Sequence, residues 1–336
     1  MAVSESKLLQ ALDLVTLGGG AEIQALGTVR GAHFARLRSV AADSNVVGVG
    51  ISEKLVDGAQ TGEATVCFYV RKKRSRNQVA GDAMVPQAIN LPGDTAVFTD
   101  VKEIGALRLE ATTIRRTSAR PPALQSGLSV GHIDLTAGTL GAIVKGKGKL
   151  HLLSNSHVLA MSGLAAVGDP IVYPGVADGG AMPGSLAARL TEFVPFDTSG
   201  ALVNRVDAAI AEIVSERPGK PKLAIYRATM PLRTAVPKRD MKVAKFGRTT
   251  GKTQGRVIDV NFRFTIGYPG VGSVGYVDQV LCTRYTDGGD SGSIVVDTAT
   301  GHIVGLHFAG ADGGSVFNPI RPVMKALGIS FVSALA

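Results

Sequence analysis

A glycine-rich turn encloses Ser291 in the stretch Asp287-Gly288-Gly289-Asp290-Ser291-Gly292-Ser293. Glycines allow the backbone to fold so tightly that two N–H groups point at one position. The amides of Gly289 and Ser291 are the candidates, and such a pair binds the oxyanion that forms when a serine attacks a carbonyl group. Clusters of Gly, Asp and Ser are also ordinary turn sequences. A catalytic interpretation therefore requires a base and a carboxylate elsewhere in the chain.

Both groups are found upstream of the turn. His157 follows the apolar run Leu152–Leu153 and is predicted to open a short helical turn after a strand. Asp207 stands at the head of an otherwise apolar, strand-like run, where a buried carboxylate is costly unless it has a partner such as an imidazole N–H. The chain order His157, Asp207, Ser291 differs from the Asp-His-Ser order of subtilisin and from the serine-first order of α/β-hydrolases.

The motifs SHVLA, VDAAIA and GDSGS, in this order, resemble those of the chymotrypsin-type serine peptidases. The resemblance spans residues 126–336 and implies a mostly β domain of two packed antiparallel β-barrels, with the site at their junction. It implies that His157 is the general base, that Asp207 orients it and that Ser291 is the nucleophile, with no cofactor. The alternatives are that His157 is a satisfied core histidine and that Asp207 caps a strand end.

Three further residues are candidates for a substrate pocket. Tyr285 stands where trypsin-like enzymes of basic specificity carry an aspartate, which disfavours cleavage after Lys or Arg. Thr286 and His307 resemble the pair that binds a Glu or Gln side chain in glutamyl endopeptidases and picornavirus-type proteases, because a hydroxyl and an imidazole both donate hydrogen bonds to such a group. His307 is alternatively a partly buried strand residue. For His33, His132, His151 and His302, structural or solvated roles are expected.

The residues before the peptidase-like part predict a small α+β domain at residues 1–110. Helical periodicity is expected for residues 4–16 and 21–39, and strands for residues 46–51, 64–70 and 94–105. Together with the following domain, this region is similar to the plant Narrow Leaf type proteases and their bacterial relatives, which implies a homo-oligomer. At the other end of the chain, Asn318 is predicted to cap a helix through Leu327.

Residues 111–125 form a predicted linker that is polar, basic and contains consecutive prolines, so it should be extended and accessible. Gln125 lies at its end and is followed by two small residues, and Glu110 lies just before it. If the Thr286/His307 pocket accepts Glu or Gln, cleavage after either residue would separate the two predicted domains.

Composition limits the class of protein. The chain has 336 residues, of which 45% are hydrophobic, and this excludes a disordered protein. No stretch has the length or apolarity of a membrane span, and no signal peptide is recognisable, so a cytoplasmic location is expected. The two cysteines, Cys67 and Cys282, fall in different predicted domains and are expected to be buried free thiols rather than a disulfide or a zinc site.

A net charge of +9 raises the alternative of nucleic-acid binding. The basic run Arg71–Arg76 directly follows a strand that contains Phe68 and Tyr69, so phosphate contacts and base stacking are conceivable there. A solvated strand end is the plainer interpretation, since the chain has no Trp and few aromatic residues. The sequence is therefore compatible with two functions: a serine endopeptidase that acts on protein or peptide substrates, and a non-catalytic assembly or binding protein on a protease fold. The intact set of three catalytic residue types favours the first.

Overall fold

The computed structural model describes residues 3–17, 27–56, 59–81, 83–91, 95–110, 123–214 and 233–332. These residues form two curled β-sheets preceded by a small helical region, which confirms the predicted mostly β, double-barrel architecture. Residues 111–122 of the predicted linker, residues 21–26 of the second predicted helix and Asp94 lie outside the described residues. No helix in the described ranges is long and apolar enough to cross a membrane.

The described residues of the N-terminal part, up to Glu110, form two α-helices and five strands. They are α1 (Glu5–Thr16), α2 (Gly27–Ala41), β1 (Val46–Val56), β2 (Ala59–Val70), β3 (Ala88–Leu91), β4 (Thr95–Glu103) and β5 (Arg108–Leu109). Leu8, Leu12 and Val15 recur at helical spacing along α1, and they are buried in one cluster with the inward-facing side chains of β1 and β2. The predicted helices and strands of this part are therefore present.

The smaller sheet has eight strands and contains the elements that carry His157 and Asp207. Its members are β6 (Ser129–His132), β7 (Gly138–Thr139), β8 (Ala142–Gly146), β9 (Lys149–Ser154), β10 (Pro170–Val172), β11 (Leu186–Phe193), β13 (Ala209–Ile213) and β20 (Ser330–Phe331). A short helix, α3 (Ser156–Leu159), follows β9. Antiparallel pairing of β9 with both β8 and β13 places the ends of β9 and β13 side by side.

The larger sheet has twelve strands and carries the Ser291 turn. Its strands from the second half of the chain are β12 (Leu202–Asn204), β14 (Lys242–Gly247), β15 (Gly251–Tyr268), β16 (Gly272–Cys282), β17 (Ile294–Asp297), β18 (Ile303–Ala311) and β19 (Gly314–Pro319). β1 pairs antiparallel with β15, with Val49 opposite Arg263. Strands β1 to β4 therefore continue the larger sheet beyond β15.

Two sequence predictions about single residues have different outcomes. Cys67 and Cys282 are buried free thiols, as predicted, and burial raises the pKa of Cys67 to about 12. The prediction that Asn318 caps the last helix is wrong. Helix α4 (Ile320–Leu327) begins after Pro319, and the Asn318 side chain is buried in hydrogen bonds to Gln279 and to the backbone of Asp207.

Candidate active site

His157 and Asp207 meet because their strands are neighbours. Ala209 at the start of β13 lies opposite Ser154 at the end of β9, so the residues just outside these two ends face each other. Nδ1 of His157 is 2.6 Å from Oδ2 of Asp207, and both side chains are almost completely buried. A protonated Nδ1 donates to this carboxylate, which leaves Nε2 of the imidazole as the basic nitrogen.

Three further donors surround the Asp207 carboxylate. The backbone N–H groups of Ser156 and His157 donate to Oδ1 at 2.7 and 3.2 Å, and the Tyr268 hydroxyl donates to Oδ2 at 2.8 Å. Burial, followed by the charge of Asp207 and the neighbouring Tyr276, raises the pKa of Tyr268 well above its usual value. Tyr268 therefore stays protonated as a donor. These bonds satisfy an ionised carboxylate in a buried position.

Two asparagine side chains fix the backbone of Asp207. Oδ1 of Asn318 accepts the Asp207 N–H at 3.0 Å, and Nδ2 of Asn155 donates to the Asp207 carbonyl at 2.7 Å. Asn155 precedes the helix that carries His157, and Asn318 is the penultimate residue of β19 in the larger sheet. The two asparagines thus tie Asp207 to both sheets at once.

The Ser291 turn has the tight backbone that the glycines predict. Gly289 and Gly292 have φ angles of 94° and 92°, in the left-handed region that glycine adopts without strain. The carbonyl of Ser291 accepts the N–H of Thr139 in the smaller sheet at 2.7 Å, and the N–H of Gly292 donates to the carbonyl of His307 at 2.9 Å. Ser291 is therefore held between the two sheets, at their junction.

The hydroxyl of Ser291 is not engaged with His157 in this structure. It faces the carbonyl oxygen of Phe308 at 3.4 Å. Nε2 of His157 is buried and has no hydrogen-bond partner among the described residues. The basic nitrogen is thus available for a proton, and catalytic hydrogen bonds often tighten only when substrate is bound.

A buried ion pair fixes the residue before the serine. Nζ of Lys245 lies 2.8 Å from Oδ2 of Asp290, and both side chains are fully buried. Oδ1 of Asp290 accepts the backbone N–H groups of Thr249 and Thr250 at 3.0 and 3.1 Å. Burial raises the pKa of Asp290, but the charge and hydrogen bond of Lys245, together with hydrogen bonds from the Thr250 hydroxyl and the Asp287 N–H, outweigh this and leave it below its usual value. Asp290 is therefore an ionised anchor of the turn.

One of the two predicted oxyanion donors already binds a carbonyl oxygen of this chain. The N–H of Gly289 donates to the backbone carbonyl of Glu110, a residue from the N-terminal part. Glu110 itself is 3% exposed. The position predicted for an oxyanion is therefore one where a peptide carbonyl binds.

The three predicted pocket residues, Tyr285, Thr286 and His307, are all buried. Nε2 of His307 is 2.7 Å from Oε2 of Glu110. The hydroxyl of Thr286 is 2.6 Å from that of Ser315. The ring of Tyr285 packs at 6.2 Å from the ring of His307 and in an apolar cluster. Within the described part of the chain, His307 is the one of the three that hydrogen-bonds Glu110.

The basic run considered for nucleic-acid binding lacks the aromatic surface that the sequence had offered. Arg71–Arg76 are exposed, but Phe68 and Tyr69 are completely buried. Stacking of bases on these two rings would require them to leave the core. The exposed run therefore lacks the neighbouring aromatic rings on which the stacking prediction depended, and the plainer interpretation stays a prediction.

No protein-family profile and no curated protein sequence matches the chain. Among solved structures it is similar to Thermobifida fusca protease A, at 18% identity and a TM-score of 0.45, over 63% of this chain and 99% of that one. It is also similar to a protease described as glutamic acid specific with a histidine triad in substrate binding, at 18% identity and a TM-score of 0.44, over 62% of this chain and 100% of that one. An α-lytic protease homologue, N4, matches at 19% identity and a TM-score of 0.45, over 62% of this chain and 100% of that one. These neighbours are bacterial chymotrypsin-fold serine proteases.

Sequence reasoning missed several residues that support the candidate site. Tyr268 and Lys245 lie in ordinary strand sequences, and neither stands near one of the three motifs. Asn318 had a different predicted role. Glu110 was singled out as a residue after which cleavage is conceivable, but no pattern in the sequence indicated that it lies against His307.

Proposed function

We propose that this protein is a serine endopeptidase that uses His157, Asp207 and Ser291. The observation that carries the proposal is the buried His157–Asp207 pair, 2.6 Å apart, at the junction where the Ser291 turn is held between the two sheets. A buried imidazole with one nitrogen on a carboxylate and the other without a partner in the described residues is arranged as a general base.

In the proposed reaction, Oγ of Ser291 attacks the carbonyl carbon of the scissile bond while Nε2 of His157 takes its proton. Asp207 stays ionised and stabilises the imidazolium. The N–H groups of Gly289 and Ser291 bind the oxyanion. His157 then protonates the leaving amine, and a water molecule, deprotonated by His157, hydrolyses the acyl-enzyme.

The pocket supports a preference for Glu before the cut bond. His307 binds the carboxylate of Glu110, and the adjacent Gly310 has no side chain that would occupy this space. A Gln side chain has a carbonyl oxygen at the same position, so it is the second candidate. A site that hydrogen-bonds a polar side chain rejects apolar analogues strongly, because its own buried polar groups then stay unpaired.

Labelling with a fluorophosphonate probe tests the nucleophile. Wild type, Ser291→Ala and the control Ser199→Ala, whose serine lies in an exposed loop, are compared, each also in a Glu110→Ala background that vacates the pocket. We expect one label on Ser291 in every chain that retains this serine. Absence of label from wild type and from Glu110→Ala would overturn the proposal and favour a non-catalytic binding protein.

Cleavage of a peptide library, read by mass spectrometry, tests the specificity. We expect cuts after Glu, and fewer after Gln. In His307→Ala the preference for Glu should be lost, while fluorophosphonate labelling of Ser291 continues. Cuts without enrichment of Glu or Gln would contradict the pocket assignment. Homo-oligomeric assembly and a cytoplasmic location stay predictions of the sequence.

A further inference from the structure

We propose that the peptide bond after Glu110 is an internal cleavage site of this enzyme, and that residues 108–110 occupy the substrate cleft on the acyl side of that bond. This inference rests on the proposed serine-peptidase function. Three independent contacts of residues 108–110 support it, one from the backbone, one from the side chain of Glu110 and one from its carbonyl group.

The backbone contact is a strand pairing. β5 pairs antiparallel with β18, with Leu109 opposite Ala309 and Arg108 opposite Gly310. β18 also carries His307, the predicted pocket residue. A peptide that adds a strand beside a recognition site is held by main-chain hydrogen bonds, and its alternate side chains then enter pockets. Residues 108–109 therefore lie as an extended peptide along the wall of the cleft.

The side-chain contact is the burial of the Glu110 carboxylate. Oε2 is 2.7 Å from Nε2 of His307. Oε1 lies so close to Gly310 that a Cβ atom at that glycine would be 1.9 Å from it. A carboxylate this deeply buried is expensive without a partner. The Glu110 side chain thus fills a slot that is built for a group of its shape and charge.

The third contact places the carbonyl group of Glu110. Its oxygen accepts the N–H of Gly289, the predicted oxyanion donor two residues before Ser291. A residue with its side chain in the pocket and its carbonyl on an oxyanion donor is oriented as the residue before a cut bond. The carbon that Ser291 would attack is therefore the carbonyl carbon of Glu110.

Residues 104–109 hold this segment against the larger sheet. The carbonyl of Ile104, just after β4, accepts the N–H of Gly313 at 2.8 Å. Leu107 and Leu109 pack on an apolar cluster that includes Phe308. Tethering raises the effective concentration of the segment at the cleft far above that of a free peptide.

The structure distinguishes Glu110 from Gln125, the other residue that the sequence offered. Leu124, next to Gln125, is completely buried in the core of the smaller sheet. Ser126, on the other side, donates its hydroxyl to the carbonyl of Gly141, which directly precedes β8 of that sheet. Gln125 is therefore fixed in the first barrel, while Glu110 is bound to His307.

In the proposed step a bond forms between Oγ of Ser291 and the carbonyl carbon of Glu110, and the bond from that carbon to the nitrogen of Ala111 breaks. The nitrogen takes the proton that His157 received from Ser291. Water then hydrolyses the ester, which leaves a carboxylate on Glu110 and an amino group on Ala111. Because β1 pairs with β15, the cut does not release the N-terminal part. The new carboxylate stays near the cleft as a bound product.

Mass spectrometry of the full-length protein under denaturing conditions tests the proposal. Wild type, Ser291→Ala, Glu110→Ala and the matched control Gln125→Ala are followed over time after purification. We expect fragments 1–110 and 111–336 from wild type and Gln125→Ala, and uncut chains from Ser291→Ala and Glu110→Ala. Terminal sequencing should find Ala111 as the new N-terminus, and the fragments should elute together in gel filtration without denaturant.

Hydrolysis of a Glu-containing peptide and fluorophosphonate labelling, measured on the same samples, separate the two proposals. If wild type reacts with the probe or hydrolyses the peptide but its own chain stays uncut, self-cleavage is overturned and the proposed peptidase function stands. A new terminus other than Ala111, or equal cleavage of Glu110→Ala, overturns it as well. Wild type and Glu110→Ala that neither label nor hydrolyse the peptide overturn the proposed peptidase and, with it, this inference.

Discussion

The Tyr268 hydroxyl donates to Oδ2 of Asp207 at 2.8 Å, so a residue at the end of β15 in the larger sheet supports a carboxylate just before β13 of the smaller one. The same oxygen of Asp207 is 2.6 Å from Nδ1 of His157. Tyr268 therefore acts on the candidate base through Asp207 and is a positioning residue.

We expect Tyr268→Phe to lower kcat/KM for a Glu-containing peptide by about tenfold. A hydrogen bond to a charged group contributes about 1.5–3 kcal/mol, and the two backbone donors to Asp207 remain. The control is Tyr276→Phe, which removes a hydroxyl 2.6 Å from that of Tyr268 but leaves the Tyr268 donor in place. Steady-state kinetics measure this loss, and an unchanged kcat/KM for Tyr268→Phe would contradict this role.

Gly310→Ala should close the slot for a Glu side chain. A Cβ at residue 310 would lie 1.9 Å from the position of Oε1 of Glu110, so a carboxylate can no longer reach His307. We expect kcat/KM for Glu peptides to fall by about 10–100-fold, the effect of losing one charged hydrogen bond. Kinetics with a peptide series check the prediction. Gly267→Ala, where a Cβ meets no atom within 4 Å, is the control. Unchanged Glu hydrolysis by Gly310→Ala would show that substrates bind elsewhere.

Lys245→Met should destabilise the protein by about 3–5 kcal/mol, because it leaves the buried Asp290 carboxylate without its counter-charge. Urea unfolding at pH 7 measures this free energy. Lys245→Met/Asp290→Asn should regain part of the loss, since the double variant buries no unpaired charge. The exposed Lys238→Met serves as the control. If Lys245→Met were as stable as that control, the ion pair would not anchor the Ser291 turn.

Asp259 makes stability depend on pH at the contact between β1 and β15. Its carboxylate is fully buried and accepts the Tyr69 hydroxyl at 2.9 Å, and burial raises its pKa from 3.8 to about 6. The folded chain thus holds this proton to higher pH than the unfolded chain does. Stability is therefore highest below pH 3.8 for this group and falls as the pH rises through about 6.

Asp259→Asn removes this ionisation and keeps an oxygen that can accept the Tyr69 hydroxyl, as the carboxyl group does. We expect the variant to be more stable than wild type by up to about 3 kcal/mol at pH 7, and similar to it near pH 4. Urea unfolding between pH 4 and 7 is the measurement. A constant difference between the two chains over this range would contradict the raised pKa.

Much of the fold was predictable because its signals are local. The apolar spacing along α1 predicted a helix that buries Leu8 and Leu12, and strand-like runs such as residues 64–70 became strands. The continuity of the sheet from β1 into β15 was not predictable, because pairing between strands so far apart in the chain leaves no pattern in either strand. The prediction for Asn318 failed for a related reason. A cap is inferred from neighbours in sequence, whereas the partners of Asn318 are Gln279 and Asp207.

For the candidate site, the sequence by itself determined the chemical groups: a serine in a glycine turn, a histidine after a strand, an aspartate before another, and a histidine in the strand that follows the turn. Residue type and local backbone preference suffice to predict these groups, because each one lies within a short sequence motif that indicates its role. Only the tertiary structure decided what surrounds them. Packing of the two sheets against each other brought Tyr268 to Asp207, and pairing of β5 with β18 placed Glu110 against His307 and Gly289. Such contacts depend on which distant surfaces become neighbours when the apolar faces of the two sheets are buried, and no short stretch of sequence contains that information.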